Sequence, residues 1–509
     1  MAYLIGIDVG TSACKVLLID QKGKLLGSST AEYTLQTPHP LWSEQNPEDW
    51  WQAAVIGIRQ VLAHSKIDPQ QIVGLGLTGQ MHGLVLLDEK LQILRPAILW
   101  NDQRTGKQCK AITEQIGFDR LLQLTGNPIL PGFTAPKILW VREHEPDVYQ
   151  RIRYFLLPKD YLRFRLTGEL ATEVSDASGT SLFDVKQRTW SDEMFAALEL
   201  PRSWAPACSE STEISGRVSQ EAASATGLPA GLPVVGGGGD QAAQAIGVGL
   251  VEQGQVAVTI GTSGVVFAPT EQPFIEPEGR LHSFCHAIPG QWHVMGVMLA
   301  AGGSLQWYRD TLCQTEMDEA QLRVVDAYSL MMADADTAPA GCEGLLFLPY
   351  LSGERTPHPD PNARGVFFGL TLRHRKAHLT RAVVEGISFG LLDCLELVRT
   401  IGVEPDQIRA SGGGARSSFW RQILADMFNT SVTTVNATEG AAFGAALLAG
   451  VGAKVYIDVP TACARTIQVT ATSEPELEKV EIYIKYYTVY RQLYDSLKSD
   501  FSKLATLRT

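Results

Sequence analysis

The sequence of 509 residues lacks the marks of several large protein classes at once. It contains no G-x-x-x-x-G-K-[ST], so no P-loop cradles a phosphate here. It has neither H-E-x-x-H nor G-x-S-x-G, the signatures of zincins and of nucleophile-elbow hydrolases. Its eight cysteines include no C-x-x-C pair, so no zinc or iron–sulfur site is expected. Scattered single thiols suit a reducing cytoplasm, where they serve as small core residues. Positive charge is in deficit: 43 Lys+Arg against 55 Asp+Glu leave −12. That balance argues against a nucleic-acid or anionic-membrane partner, which would need a basic face. No apolar run is long enough to span a bilayer. The opening Met1-Ala2-Tyr3-Leu4 lacks a charged stretch followed by an apolar one, so no secretory leader is expected.

What is present reads as an α/β protein of two to four domains, at roughly 100–200 residues each. Hydrophobic residues make up 45% and charged residues 19%, so sizeable cores can form. The chain opens on an apolar run, Leu4-Ile5-Gly6-Ile7-Asp8-Val9, broken at Gly10-Thr11-Ser12 and resumed at Val16-Leu17-Leu18-Ile19. With a turn at Asp20 to Gly23 and a third run from Leu25, this predicts a β-meander. Trp50 to Ala63 predicts a helix, and 71–77 and 84–87 predict strands. Much later the plan recurs: Val256-Ala257-Val258-Thr259-Ile260, then Gly261-Thr262-Ser263-Gly264, then Val265-Val266-Phe267. A repeated strand, Gly-Thr-Ser, strand unit predicts two similar lobes, 1–247 and 248–450, with an extension over 451–509. In that extension tyrosines from Tyr483 to Tyr494 recur at helical spacing, which predicts a helix packed on a lobe.

Several residues carry candidate chemistry, each beside a plainer alternative. Asp8 ends an apolar strand, and a buried carboxylate needs a cation or donors. The following Gly10-Thr11-Ser12 turn can aim amides and hydroxyls at a phosphate, with Lys15 adding charge; it can equally be an ordinary hairpin turn. Two such hairpins facing across a cleft would grip a polyphosphate from both sides. Asp240 follows four glycines, Gly236 to Gly239, and reads as a general base, ionised at pH 7 if its pKa is ordinary. The alternative is an N-cap for the helix after it. Ser411 to Ser418, rich in glycine, connects a strand to a helix and suits a flat base or a phosphate. Met81-His82 lies between Gly79 and Gly83, a tight crossing beside a cleft. Trp100 to Arg104 could line a polyol site or cap the next helix. Gly74-Leu75-Gly76-Leu77-Thr78-Gly79 fits G-x-G-x-x-G but leads into another strand, so it is not a dinucleotide fingerprint.

Together these pieces resemble the FGGY family of carbohydrate kinases, within the actin–Hsp70–hexokinase superfamily. Gly132-x-Thr134-x-x-Lys137-Ile138-Leu139-Trp140 and Gly365-Val366-Phe367-Phe368-Gly369-Leu370 look like its two signatures. Gly79 to Gly83, Leu157 to Leu162, Ser283 to His286 and Ser352 to His358 resemble the xylulokinase branch. The resemblance implies two actin-like (ribonuclease H-like) ATPase lobes with a cleft between them, a homodimer, and transfer of phosphate from Mg²⁺-ATP to D-xylulose. The alternatives are another pentulose or polyol such as D-ribulose, L-ribulose or gluconate, or an actin-like switch with no sugar. By residue it implies Asp240 as catalytic base and Asp8 as the acid that holds Mg²⁺. It implies sugar contacts from Met81, His82 and Gln241, joined by Trp100 and Asp102 from the polar cluster. It places Thr11, Ser12 and Lys15 on one side of the phosphates and Gly261 and Thr262 on the other. Gly302, Gln306, Gly414 and Ser418 match nucleotide contacts.

Overall fold

A computed structural model describes residues 1–437 and 439–507. The first lobe is built on a seven-stranded sheet: β1 (Tyr3–Val9), β2 (Ala13–Asp20), β3 (Leu25–Glu32), β4 (Ile72–Gly79), β5 (Ile214–Arg217), β6 (Pro233–Val235) and β7 (Gly238–Gly239). Its order is β5-β6-β4-β1-β2-β3, with β7 also paired to β4. The second is likewise seven-stranded: β8 (Gln255–Ile260), β9 (Gly264–Thr270), β10 (His282–Cys285), β11 (Trp292–Met298), β12 (Gln407–Ser411), β13 (Val432–Val435) and β14 (Val469–Ser473). Its order is β10-β11-β9-β8-β12-β13-β14.

The repeat read from two short hairpins therefore extends to five strands. In β3-β2-β1-β4-β6 the first three are antiparallel, and β1, β4 and β6 run parallel. The run β11-β9-β8-β12-β13 has the same order and directions. The central strands β1 and β8 are buried on both faces, which is why they read as continuous apolar runs.

Helices cover both sheets. Helix α1 (Pro47–Ser65) starts where Asn46 accepts from the Glu48 amide and Pro47 occupies the first turn. The helices the site needs next are α2 (Thr134–His144), α3 (Pro158–Thr167) and α4 (Asp240–Gly247). The second lobe adds α5 (Gly302–Leu312), α6 (Gln314–Arg323), α7 (Ala327–Ala335), α8 (Lys376–Thr400), α9 (Ser418–Phe428) and α10 (Gly440–Gly452). The tyrosine-rich tail is α11 (Leu477–Thr506), with Tyr483, Tyr490 and Leu493 buried in the second lobe's core as expected.

The lobes exchange their last helices. Helix α10 lies on the first sheet, and its run of Gly and Ala brings backbone against backbone. A β-carbon on Gly6 or Gly76 would stand 1.9 Å from the carbonyl oxygens of Ala442 and Ala445, respectively. These glycines are thus explained by helix packing rather than by nucleotide binding. The end of α4 and the turn after it, through Ala245, Val248 and Leu250, join the cluster of Ala257, Val265 and Phe267 on the second sheet. The helices also pack on each other, Gly444 meeting the Ala243 carbonyl. At the lobe edge, Asn127 of the first lobe makes two bonds to the Ser283 backbone, at 2.7 and 3.1 Å. No helix among the described residues is long and apolar enough to cross a membrane.

Candidate active site

The strand pairing sets the site. Asp8 lies opposite Thr78 on β4 and Lys15 on β2. It is enclosed, and its Oδ1 has no hydrogen-bond partner among the described residues; neither has Thr78 Oγ1. Burial pushes the Asp8 carboxyl up to about 6, against the pull of Lys15. Lys15 itself is paired with Glu439 at 2.7 Å, so the charge expected to await a phosphate is partly engaged with the second lobe.

Asp240 arrives by way of the glycine run. Gly237 has φ of 76°, and a β-carbon there would stand 1.9 Å from the Leu77 carbonyl, so only glycine fits this close pass over β4. Gly238 and Gly239 then pair with Thr78 and Gly79. The N-cap is Gly239, and Asp240 is the first residue inside α4 rather than its cap. Its ordinary ionisation is also corrected. Burial, and then the nearby Asp8 charge, push its carboxyl up to about 7. Two carboxylates lining one cavity, each raised by burial, are suited to accept a proton and to attract a cation.

Asp8, Lys15, Asp240 and Gln241 line one cavity of about 640 Å³. A second cavity of about 770 Å³ is lined by Gly261, Thr262, Gly302, Gln306, Gly414 and Ser418. Gly413 and Arg416 line both, so the two cavities adjoin. Arg416 was not singled out from the sequence; only the fold carries it from a glycine-rich connection to the junction of the cavities. The segment 310–340 had no reading beyond a helical surface element. Its α7 supplies Tyr328, Ser329 and Met332 to the larger cavity, beside Asp326 and Asp336.

The two Gly-Thr-Ser turns are braced differently. In the first, Tyr33 and Gln80 donate to the Gly10 carbonyl, at 2.6 and 3.2 Å. Gln45 donates to the Thr11 carbonyl at 2.6 Å, and Trp100 Nε1 to Thr11 Oγ1 at 2.9 Å. Gln45 and Tyr33 went unnoticed in the sequence because each is remote from the turn, and Gln80 was read only as part of the Gly79–Gly83 stretch. In the second, the start of α5 is the brace: the Gly302 amide donates to the Gly261 carbonyl at 2.8 Å, and those of Ala301 and Gly303 to the Thr262 carbonyl, both at 3.0 Å.

Neither Met81 nor His82 lines either cavity. A β-carbon on Gly239 would stand 2.9 Å from Met81 Cγ, so Met81 lies over the residue before Asp240. His82 has φ of 68°. Its carbonyl accepts from Thr134 Oγ1 at 3.0 Å and Lys137 Nζ at 2.9 Å, so the signature on α2 holds the loop in that strained turn. Its ring meets the Gly179 carbonyl at 2.7 Å and stacks on Phe133, with centroids 4.5 Å apart. Burial lowers its pKa to about 3, which keeps the imidazole neutral.

Asp102 departs from the expectation of a sugar contact. It is fully buried, and its oxygens accept from the Ser43 and Arg104 amides and from the Arg104 guanidinium. That guanidinium lies 3.6 Å from the Trp42 ring centroid. The pair supports the loop, leaving Trp100, 42% exposed, as the member that faces out. The turn does not cap the next helix, whose N-cap is Thr105.

Residues 3–247 match the N-terminal domain and residues 256–453 the C-terminal domain of the FGGY family of carbohydrate kinases. A xylulose kinase of Klebsiella pneumoniae is 43% identical over 97% of this chain and 99% of its own length. A gluconokinase of Bacillus licheniformis is 30% identical over 99% of this chain and 98% of its own. The crystal structure of a xylulose kinase from Brucella ovis superposes with a TM-score of 0.89 at 39% identity, covering 98% of this chain and 99% of that one. Two like-wound sheets meeting at a cleft that holds paired carboxylates, matched over nearly the full length, make this chain a member of the FGGY family of carbohydrate kinases.

Proposed function

We propose that the enzyme transfers the γ-phosphoryl group of ATP to the terminal hydroxyl of D-xylulose, with Asp240 as general base. The observation that carries this reading is that Asp240 lines one cavity with Asp8, whose Oδ1 has no partner among the described residues, and that this cavity adjoins a larger one framed by the second Gly-Thr-Ser turn. Sugar would lie against Met81, His82, Gln241 and Trp100, with its hydroxyl toward Asp240. The triphosphate would run between the two turns, with Gly302, Gln306, Gly414 and Ser418 around the nucleoside. Asp240 would take the hydroxyl proton as the oxygen bonds to phosphorus and the bond to the leaving diphosphate breaks.

The orphaned oxygen of Asp8 fits a divalent cation carried in by the polyphosphate. Among the described residues no three His, Cys, Asp or Glu side chains gather into a metal cage, so Asp8 and the nucleotide would share it. Mg²⁺ so held supplies charge neutralisation at the transferring phosphate. The turn amides would do the same from the protein side.

D-xylulose is supported by the names of the relatives and by Met81, which lies against Gly239, the residue before Asp240; the gluconokinase relative makes gluconate the sharpest rival. Coupled ADP release over D-xylulose, D-ribulose, L-ribulose and gluconate separates them, and a kcat/KM highest on gluconate overturns the sugar assignment. Asp240→Asn should lower kcat by at least ~10²-fold while sugar still binds. Near-normal turnover in that variant would falsify the assignment of the base.

A further inference from the structure

Five ionisable side chains unused by this mechanism lie fully buried behind the glycine run: Lys159, Asp160, Arg163, Glu173 and Asp176. Lys159 Nζ lies 2.7 Å from Asp160, 3.1 Å from Asp176 and 3.5 Å from Glu173, and Arg163 pairs with Asp160. Three carboxylates face two cations. Burial raises the Asp176 carboxyl well above its usual range, against the pull of Lys159. Buried ion clusters contribute little net stability, because desolvation offsets attraction. The geometry of this one gives it a different use.

Glu173 is its outlet. It accepts from the amides of Ser175 and Asp176, both at 2.8 Å, and from the hydroxyls of Ser175 at 2.9 Å and Ser211 at 2.8 Å. The Ser175 hydrogen thus points at Glu173, and its lone pairs turn the other way. There they accept from the Gly239 amide at 3.0 Å. The Ser211 carbonyl accepts from the Gly237 amide at 2.9 Å. A glycine run has no side chains to anchor it, so its path over β4 depends on bonds such as these. Gly239 is the residue before Asp240.

We propose that Ser175, oriented by Glu173, is a positioning residue that fixes Gly239 and so places the Asp240 carboxylate for proton acceptance. This rests on the reading of Asp240 as the base. Ser175→Ala should lower kcat roughly 10-fold or more, since small misplacements of a reacting group are costly, with KM for sugar and ATP within about two-fold of wild type. The acid limb of its kcat–pH profile should move to lower pH as water reaches Asp240. Ser175→Thr, which keeps the hydroxyl, should restore most of the turnover. In an Asp240→Asn background, Ser175→Ala should cost nothing more. A Ser175→Ala enzyme with a lower Tm but wild-type kcat and acid limb overturns the inference and leaves the base assignment standing. Near-normal turnover in Asp240→Asn removes both. If Ser175→Ala does not fold, Ser175→Cys, whose thiol accepts weakly, is judged by the same criteria.

Discussion

Asp8 and Thr259 occupy the same place in two copies of one topology, each two residues before a Gly-Thr-Ser turn on the strand at the middle of its sheet. Their neighbours across the parallel ladder also correspond, Thr78 beside Asp8 and Ser411 beside Thr259. In the second lobe the two hydroxyls satisfy each other, 2.8 Å apart. In the first, the carboxylate oxygen Oδ1 and the Thr78 hydroxyl are both left without partners among the described residues. The same register is thus a finished pair in one lobe and a pair of unsatisfied polar atoms in the other. Leaving buried polar atoms unmade costs roughly 1–3 kcal/mol each, so the first copy is the one that carries a destabilising load for chemistry.

The largest test makes the first copy resemble the second. Asp8→Thr should cost at least ~10²-fold in kcat if Asp8 holds the cation as proposed, because it removes that ligand and its charge. It should also stabilise the ligand-free protein. A raised carboxyl leaves Asp8 neutral and harmless below about pH 4, and its stability contribution is lost as pH rises through about 6. The variant's advantage should therefore appear between those values and reach up to about 3 kcal/mol by pH 8. Equal melting temperatures at pH 8 would contradict this. The converse, Thr259→Asp, buries a second carboxylate beside Ser411. It should destabilise by a few kcal/mol at pH 8 and recover near pH 4, read by denaturant titration at both pH values.

Smaller effects probe the braces. A β-carbon on Gly302 would stand 2.4 Å from the Gly261 carbonyl, so Gly302→Ala should displace the second turn. KM for ATP should rise roughly 10-fold with sugar affinity retained, as expected if that turn binds phosphate. Comparable changes in both KM values would show that the lobes do not divide the substrates. Trp100→Phe deletes one bond to Thr11 in the first turn and should lower kcat/KM by about five-fold, the scale of ~1 kcal/mol.

Much of the fold was legible because its signals are local. Continuous apolar strands, a glycine-marked turn and its recurrence near residue 261 required no knowledge of distant contacts. The helix of the tail was legible from tyrosine spacing for the same reason. Asp102 was misread because sequence offers a carboxylate but not its partners; Arg104 and the Ser43 amide occupy it. Lys15 was read as uncommitted because Glu439 lies 424 residues away. The glycines of β4 imitated a dinucleotide motif, although Gly74 and Gly76 serve to admit α10 against the sheet.

By itself the sequence determined which residues could do chemistry and in what order: Asp8, the first turn, Asp240, the second turn and the glycine-rich connection. These depend on residue type and neighbouring pattern. Tertiary structure alone decided that Asp8 and Asp240 share one cavity, that Asp8 stays unpartnered while its counterpart Thr259 is satisfied, and that burial lifts both carboxyls toward neutrality. The reason is physical. Desolvation and the field of a second charge depend on separation in space, and that separation is set by a parallel register and by helices exchanged between lobes.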